Sequence, residues 1–317
     1  MEKLVHQNRK VFLICLLIFA NVLAGCASAS SGEDNGKIQI VTTIGQIADA
    51  AEIIGGNLVE VNALMGAGVD PHLYVATEGD VSLLQEADII LYNGLFLEAN
   101  MNDILEQLAE RKTAVAVSET IDPSRLLVSP IYEDEHDPHV WFDLELWSIS
   151  VEAVRDTLVE FDPDNAATYG ANAEAYLAEI AELGAYVREQ AERLSPEQRI
   201  LITAHDAFSY FGRAYGFEVL GLQGISTQSE AGTGDVQDLA AVILERHVPA
   251  IFVESSVPVR NVEALQEAVR AQGFDVVIGG SLFSDAMGTP GTAEGTYLGM
   301  VRYNIDTIVS ALLGESN

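Results

Sequence analysis

The sequence predicts an α/β protein of two lobes with mostly parallel sheets, joined by one long helix. Short segments rich in β-branched residues alternate with helical segments in both halves of the chain, which is typical of βαβ units. Between the halves, residues 163–194 keep an apolar period of 3.6 residues over a length that exceeds one lobe. We therefore expect an N-terminal lobe at residues 37–162, a linking helix at 163–194 and a C-terminal lobe at 195–317.

The first 25 residues have the pattern of a bacterial lipoprotein signal peptide. A basic head precedes an apolar run at residues 11–24, and Leu-Ala-Gly-Cys follows, ending at Cys26. A transmembrane anchor is the alternative, but the run is shorter than the roughly 20 residues that span a bilayer. We expect a lipid on Cys26 that holds the protein on the outer side of the cell membrane. Residues 26–36 are small and polar and predict a flexible tether.

In the N-terminal lobe, strands and helices are expected to alternate. Thr77 is a suitable N-cap, because Glu78 and Asp80 would then lie in the first helical turn, where acidic side chains are favourable. The predicted strands lie at residues 37–43, 59–64, 87–93 and 114–117. The predicted helices lie at residues 45–55, 77–84, 97–111 and 146–160.

The linking helix follows the break at Asp162-Pro163, and the same alternation then resumes. At about 1.5 Å per residue the helix would be longer than one lobe is wide, which suggests a rigid strut. The predicted strands of the C-terminal lobe lie at residues 199–203, 218–222, 250–254 and 276–278. The predicted helices lie at residues 207–215, 236–246, 261–272 and 296–313.

Four residues that are far apart in the sequence are candidate metal ligands: His72, His139, His205 and Asp285. Their separation excludes a zinc finger, whose ligands are close neighbours. They can meet only if the folded chain brings several loops to one point, as α/β sheets do beyond the carboxyl ends of their strands. Imidazole and carboxylate suit Zn²⁺ and tolerate Mn²⁺. We predict one Zn²⁺ or Mn²⁺ bound per chain.

Several carboxylates are candidates for orienting a ligand imidazole, because a metal-bound histidine usually donates its second N–H to an acceptor. Asp137 and Asp206 adjoin ligand candidates in the sequence, although a surface or capping role fits them equally well. Glu254 ends an apolar strand and is a third candidate. His136, in an acidic loop, and His247, at the end of a predicted helix, are expected to be surface residues.

The formal net charge of −32 restricts the partners of the protein. Nucleic acid is excluded, since phosphate binding requires basic patches. A strongly negative field raises the local concentration of cations, but most of the acidic residues belong to solvated helix faces. Cys15 and Cys26 are the two cysteines, and both lie at the processed N-terminus, so we expect no disulfide.

The ligand set also argues against an enzyme. A hydrolytic metal site needs an open coordination position and a nearby base, whereas four protein ligands close a tetrahedral site. The sequence contains no His-Glu-x-x-His, Gly-x-Ser-x-Gly or phosphate-loop motif. Capture and release of a metal ion is the favoured hypothesis. A surface adhesin and a zinc-dependent hydrolase are the alternatives.

Four segments, at residues 137–143, 203–216, 251–257 and 279–288, resemble the cluster A-I (cluster 9) solute-binding lipoproteins of zinc and manganese ABC importers, the TroA-like metal receptors. The resemblance covers about residues 38–317. It implies two α/β lobes joined by one long helix, with the metal held between them by His72, His139, His205 and Asp285. It also implies delivery of the ion to an ABC permease, and we expect a monomer.

The resemblance bears on the metal in two ways. Manganese-type members usually carry Glu at the third ligand, where this chain has His205. Many zinc-type members carry a long His-rich loop before the second ligand, where this chain has only the short acidic segment 133–136. The pattern therefore indicates zinc, or use of both metals.

Overall fold

A four-stranded parallel sheet lies at the centre of the N-terminal lobe. The computed structural model describes residues 36–129 and 136–315. The strands are β1 (Ile38–Thr42), β2 (Val59–Ala63), β3 (Ile89–Tyr92) and β4 (Thr113–Ala116), in the order β2-β1-β3-β4. The helices of this part are α1 (Gly45–Gly55), α2 (Glu78–Glu86), α3 (Asn102–Ala109) and α4 (Leu144–Phe161). Thr77 caps α2, as its sequence predicts, and the structure shows in addition a reciprocal capping box with Asp80.

The long helix α5 (Ala166–Ala191) connects the two halves of the fold and has 26 residues. Its length is about 39 Å at 1.5 Å per residue. The prediction began it at residue 163, but Pro163–Asn165 form a separate 3₁₀ turn. One stripe of α5 is buried, at spacings of three and four residues, and consists of Tyr169, Ala173, Tyr176, Ile180, Leu183, Val187 and Ala191. This stripe is the source of the 3.6-residue period.

The C-terminal lobe contains two parallel strand pairs. They are formed by β5 (Ile200–His205) with β6 (Glu218–Gln223) and by β7 (Ala250–Glu254) with β8 (Val277–Leu282). The helices are α6 (Ser209–Tyr215), α7 (Thr233–Arg246), α8 (Arg260–Arg270) and α9 (Tyr297–Leu313). The predicted α/β class with mostly parallel strands and a long central helix is therefore confirmed.

Two local predictions were wrong in extent. The helix expected at residues 97–111 covers only α3, because the buried Glu98 carboxylate accepts the Asn93 and Gly94 backbone N–H groups and the Thr43 hydroxyl. These bonds hold the preceding residues in a non-helical loop. Strand β8 continues to Leu282 through two glycines that suggested a loop, since pairing with β7 supplies the ladder and a register shift at Ile251/Phe252 accommodates them.

Residues from Ile38 onward form one compact unit, and its main core runs through both lobes. Helix α5 contributes to this core and is held by side-chain hydrogen bonds on both sides. Asn172 donates to the carbonyl of Ile54 on α1 (2.9 Å), and the Tyr186 hydroxyl donates to Asp306 on α9 (2.7 Å). These contacts join the long helix to α1 on one side and to α9 on the other.

No helix among the described residues is both long and apolar enough to cross a membrane. The predicted signal peptide, Cys26 and most of the tether lie outside the described residues. Their assignments remain predictions.

Candidate metal centre

The four candidate ligands come from both lobes and meet at one buried point. His72 lies in the loop after β2, and His139 lies before a single turn at Val140–Phe142 that leads into α4. His205 is the last residue of β5, and Asp285 follows the end of β8. Their relative exposures are 3%, 0%, 0% and 1%. His139 is the exception to the expected placement at strand ends, because it precedes a helix instead.

The distances between the donor atoms match a small coordination sphere. His72 Nε2 lies 3.3 Å from His139 Nε2, and the Asp285 carboxylate lies 3.3 Å from Nε2 of both His139 and His205. His72 Nε2 lies 3.9 Å from Asp285 Oδ2, and one donor atom from each residue falls within 4.8 Å of the others. A tetrahedral site with bonds of about 2.0 Å has donor–donor edges of about 3.3 Å.

Several of these donor atoms are buried without a hydrogen-bond partner among the described residues. They are both carboxylate oxygens of Asp285 and Nε2 of His205. Buried polar atoms are nearly always satisfied, so a group of them directed at one point is unfavourable unless something binds there. A divalent cation satisfies all of them together. The residues present therefore fit a metal ion.

Two histidine rings are oriented by buried carboxylates, in the pattern that metal-binding histidines follow. His139 Nδ1 lies 2.7 Å from Asp137 Oδ1, and the same oxygen accepts the His139 backbone N–H at 2.9 Å. His205 Nδ1 lies 2.5 Å from Glu254 Oε2, while Glu254 Oε1 accepts the His205 backbone N–H at 2.9 Å. Both rings are thus fixed with Nε2 facing the centre.

The loop of His72 is held by Asp70, a residue that sequence reasoning did not single out. Asp70 Oδ1 accepts the His72 backbone N–H at 2.9 Å, and its Oδ2 accepts the Thr227 hydroxyl of the other lobe at 2.6 Å. Asp137 makes the same backbone contact to His139. The repeated Asp-Pro-His motif was the available signal, since it places a carboxylate two residues before each histidine.

The structure places the remaining candidates elsewhere. Asp206, a candidate for orienting a ligand, accepts the hydroxyl of Ser209 at 2.7 Å, next to the start of α6. This contact joins two side chains and does not cap α6, whose N-cap residue is Phe208. His247 follows the end of α7 and is exposed. His136 lines a small cavity beside His72 and is half-buried rather than fully solvated.

The backbone at Asp285 is fastened by side chains of the opposite lobe. Gln46 Nε2 donates to the Asp285 carbonyl at 3.2 Å, and Trp141 Nε1 donates to the Ser284 carbonyl at 3.1 Å. All of these residues are buried. The position of the carboxylate therefore depends on the packing of the two lobes against each other.

The pKa of one ligand histidine is lowered in the site, and the pKa values of the other two are raised. Burial lowers the pKa of His72 to about 3. Burial also disfavours a charged His139, but the Asp137 and Asp285 carboxylates outweigh it and raise the pKa of His139 to about 9. Glu254 and Asp285 likewise raise the pKa of His205 above its usual value, against its burial. Burial favours a neutral Asp285, yet the His205 and His139 rings hold its pKa well below the usual range.

The fold and this site define a class of protein, the two-lobed α/β metal receptors with a long connecting helix. A family model described as ZnuA, zinc-uptake complex component A periplasmic, matches residues 40–311. The chain therefore belongs to this family.

Similar proteins include the zinc-binding protein TroA of Treponema pallidum, which is 54% identical over 94% of this chain and 98% of its own length. The manganese-binding lipoprotein MntA of Bacillus subtilis is 45% identical over 95% of this chain and 98% of its own. The solved structure of the periplasmic zinc-binding protein TroA from Treponema pallidum superposes with a TM-score of 0.85 at 56% identity. The superposition covers 87% of this chain and 99% of the TroA chain.

Proposed function

We propose that this chain is an extracytoplasmic solute-binding lipoprotein that captures one Zn²⁺ or Mn²⁺ between its lobes and delivers it to an ABC permease. The proposed ligands are His72, His139, His205 and Asp285. The convergence of these four buried side chains, with donor spacings near 3.3 Å, is the observation that carries the proposal. Relatives named as metal ABC transporter substrate-binding lipoproteins support the transport role.

We propose binding without turnover, and the donor set of the site supports this proposal. Four protein donors complete a tetrahedral shell and leave no position for a reactive water. Relatives of this chain are named as binding proteins and as substrate-binding components of transporters, not as enzymes. We propose that this chain likewise binds and releases its ion unchanged.

The metal is proposed to be zinc in preference to manganese when both compete in solution. Three imidazole nitrogens and one carboxylate suit Zn²⁺, and Mn²⁺ prefers more oxygen. The relatives are named for both metals, so the identity of a relative alone does not decide between them.

The protein is proposed to be a monomer anchored through a lipid on Cys26, after removal of residues 1–25. The tether 26–36 would then place the lobes, 37–162 and 195–317, outside the membrane with the linking helix 163–194 between them. A relative that is named a lipoprotein supports this arrangement. Mass spectrometry of the membrane-extracted protein tests it, because a lipid-bearing N-terminal Cys26 peptide is the expected product.

The ligand set is tested by metal titration of His139→Ala beside His247→Ala. His247 is the matched control, because it is an exposed histidine outside the centre. We expect wild type and His247→Ala to bind one equivalent of Zn²⁺ tightly and His139→Ala to lose tight binding. Two tight equivalents in the wild type, or unchanged binding in His139→Ala, would show that the assignment is wrong.

A further inference from the structure

One small cavity lies directly against the metal centre, on the side of His72. Its volume is about 20 Å³, and its lining includes His72, Leu95, Phe96, Pro138, Ile225 and Gln228. His72 has the largest exposure of the four proposed ligands, at 3%. A cavity of this size holds about one water molecule. A hydrated divalent ion is larger, so the wall of the cavity must move before the ion can pass.

One wall of this cavity is a backbone segment in an unfavourable conformation. Gly94, Leu95 and Phe96 have consecutive φ angles of 76°, 52° and 66°. The left-handed region is routine for glycine but sterically unfavourable for leucine and phenylalanine. Such a conformation persists only where surrounding contacts impose it. Relaxation of these backbone angles would therefore favour movement of the segment once those contacts break.

The contacts that impose this conformation lie on both sides of the segment. The buried Glu98 carboxylate accepts the Gly94 backbone N–H at 3.1 Å, and Glu119 accepts the Leu95 N–H at 3.3 Å. Asn100, after the segment, donates to the carbonyl of His72 at 3.2 Å. Movement of this loop is consequently transmitted to the loop that carries His72.

Among the three histidine ligands, the ring of His72 is held least firmly. Carboxylates fix the rings of His139 and His205, and bonds from the opposite lobe fix the backbone at Asp285. Asp70, in contrast, holds His72 through its backbone N–H. The His72 side is thus where the centre can open with the least disruption.

We propose that Phe96 is the gate of this metal centre, and that the left-handed run at residues 94–96 is the hinge on which it opens. Phe96 lines the cavity and is 43% exposed, so it forms part of the boundary between the cavity and solvent. Rotation of this short segment would uncover the approach to His72 without separating the two lobes. This inference rests on the proposed function, because it concerns the route of the same ion.

The test is the kinetics of metal exchange in Phe96→Ala, measured by stopped flow with Zn²⁺ and a competing chelator. A gate contributes to the barrier in both directions without changing the bound or free end state. We therefore expect the association and dissociation rates to rise together by about tenfold, a barrier change of about 1.4 kcal/mol. The dissociation constant should stay the same. Phe96→Leu, which keeps part of the bulk, should give an intermediate increase in both rates.

Phe161→Ala is the matched control. Phe161 is 42% exposed and ends α4, roughly 27 Å along the helix from the end that follows His139. Its substitution should change neither rate. Unchanged exchange rates in Phe96→Ala would overturn the gate. A larger dissociation constant caused by faster dissociation, with an unchanged association rate, would overturn it too. A wild-type protein that binds no Zn²⁺ would instead overturn the proposed function, so the two failures are distinguishable.

Discussion

Metal binding at neutral pH should expel two protons from the protein. A ligand imidazole must be neutral to coordinate a metal, so any proton on it in the metal-free state has to leave. The carboxylates of Asp137 and Asp285 raise the pKa of His139 to about 9, against its burial. Glu254 and Asp285 raise that of His205. His72, with a pKa of about 3, is already neutral.

The pH dependence of metal affinity follows from these histidine pKa values. At pH 7 the protonated form of His139 exceeds the neutral form by about 100 to 1, which weakens metal binding by about 3 kcal/mol. His205 adds a second proton. Because protons and metal compete, apparent affinity should rise with pH by about 100-fold per unit while both rings are protonated. Because the pKa of His139 is about 9 and that of His205 is also raised, the rise should continue well above the usual histidine pKa of about 6.5.

Calorimetric titration with Zn²⁺ at pH 7, in buffers of different ionisation enthalpy, measures the protons released directly. Asp137→Asn is the informative variant, since it removes the carboxylate that holds the proton on His139. We expect about two protons in the wild type and about one in Asp137→Asn. Release of no protons, or an affinity that is flat from pH 8 to pH 6, would refute the reasoning.

Three further outcomes are expected. His205→Glu should narrow the preference for Zn²⁺ over Mn²⁺ by adding an oxygen ligand, and a competitive titration in which Mn²⁺ already wins in the wild type would contradict this. Metal-free and metal-bound protein should have nearly equal radii of gyration by small-angle scattering, because Asn172 and Tyr186 tie α5 to its neighbours. A large difference in radius of gyration between the two forms, as hinged separation of the lobes would produce, would contradict this expectation. Lys112→Met should lower the free energy of unfolding by about 1–3 kcal/mol, since Lys112 donates to the carbonyls of Leu84, Gln85 and Ala87 at the end of α2. An unchanged urea midpoint would show that these bonds contribute nothing.

The elements that could be predicted are those whose signal is local. The stripe of α5 from Tyr169 to Val187 repeats every three or four residues, because one face of a helix must be buried wherever the helix lies. Thr77 and Asp80 identify the start of α2 for the same reason, since a capping box involves only the first turn. The residue types of the four proposed ligands likewise indicated a metal before any contact was known.

The loop at residues 94–101 could not be predicted, because its conformation depends on a distant side chain. Its composition favours a helix, yet the buried Glu98 accepts the hydroxyl of Thr43, which is distant in sequence and follows the neighbouring strand β1. The energy of this contact outweighs the local helical preference. The left-handed run that we propose as a hinge is a consequence.

The fold class, the long connecting helix and the chemical character of the site can be predicted from the order of the residues. Which carboxylates contact the ligand histidines depends on the packing of the whole fold. Asp137 and Glu254 reach the rings of His139 and His205, whereas Asp206, adjacent to His205 in the chain, turns to Ser209. Adjacency in sequence does not set the direction of a side chain. That direction follows from how the strands and loops of two lobes pack around one buried point, and only the complete fold specifies it.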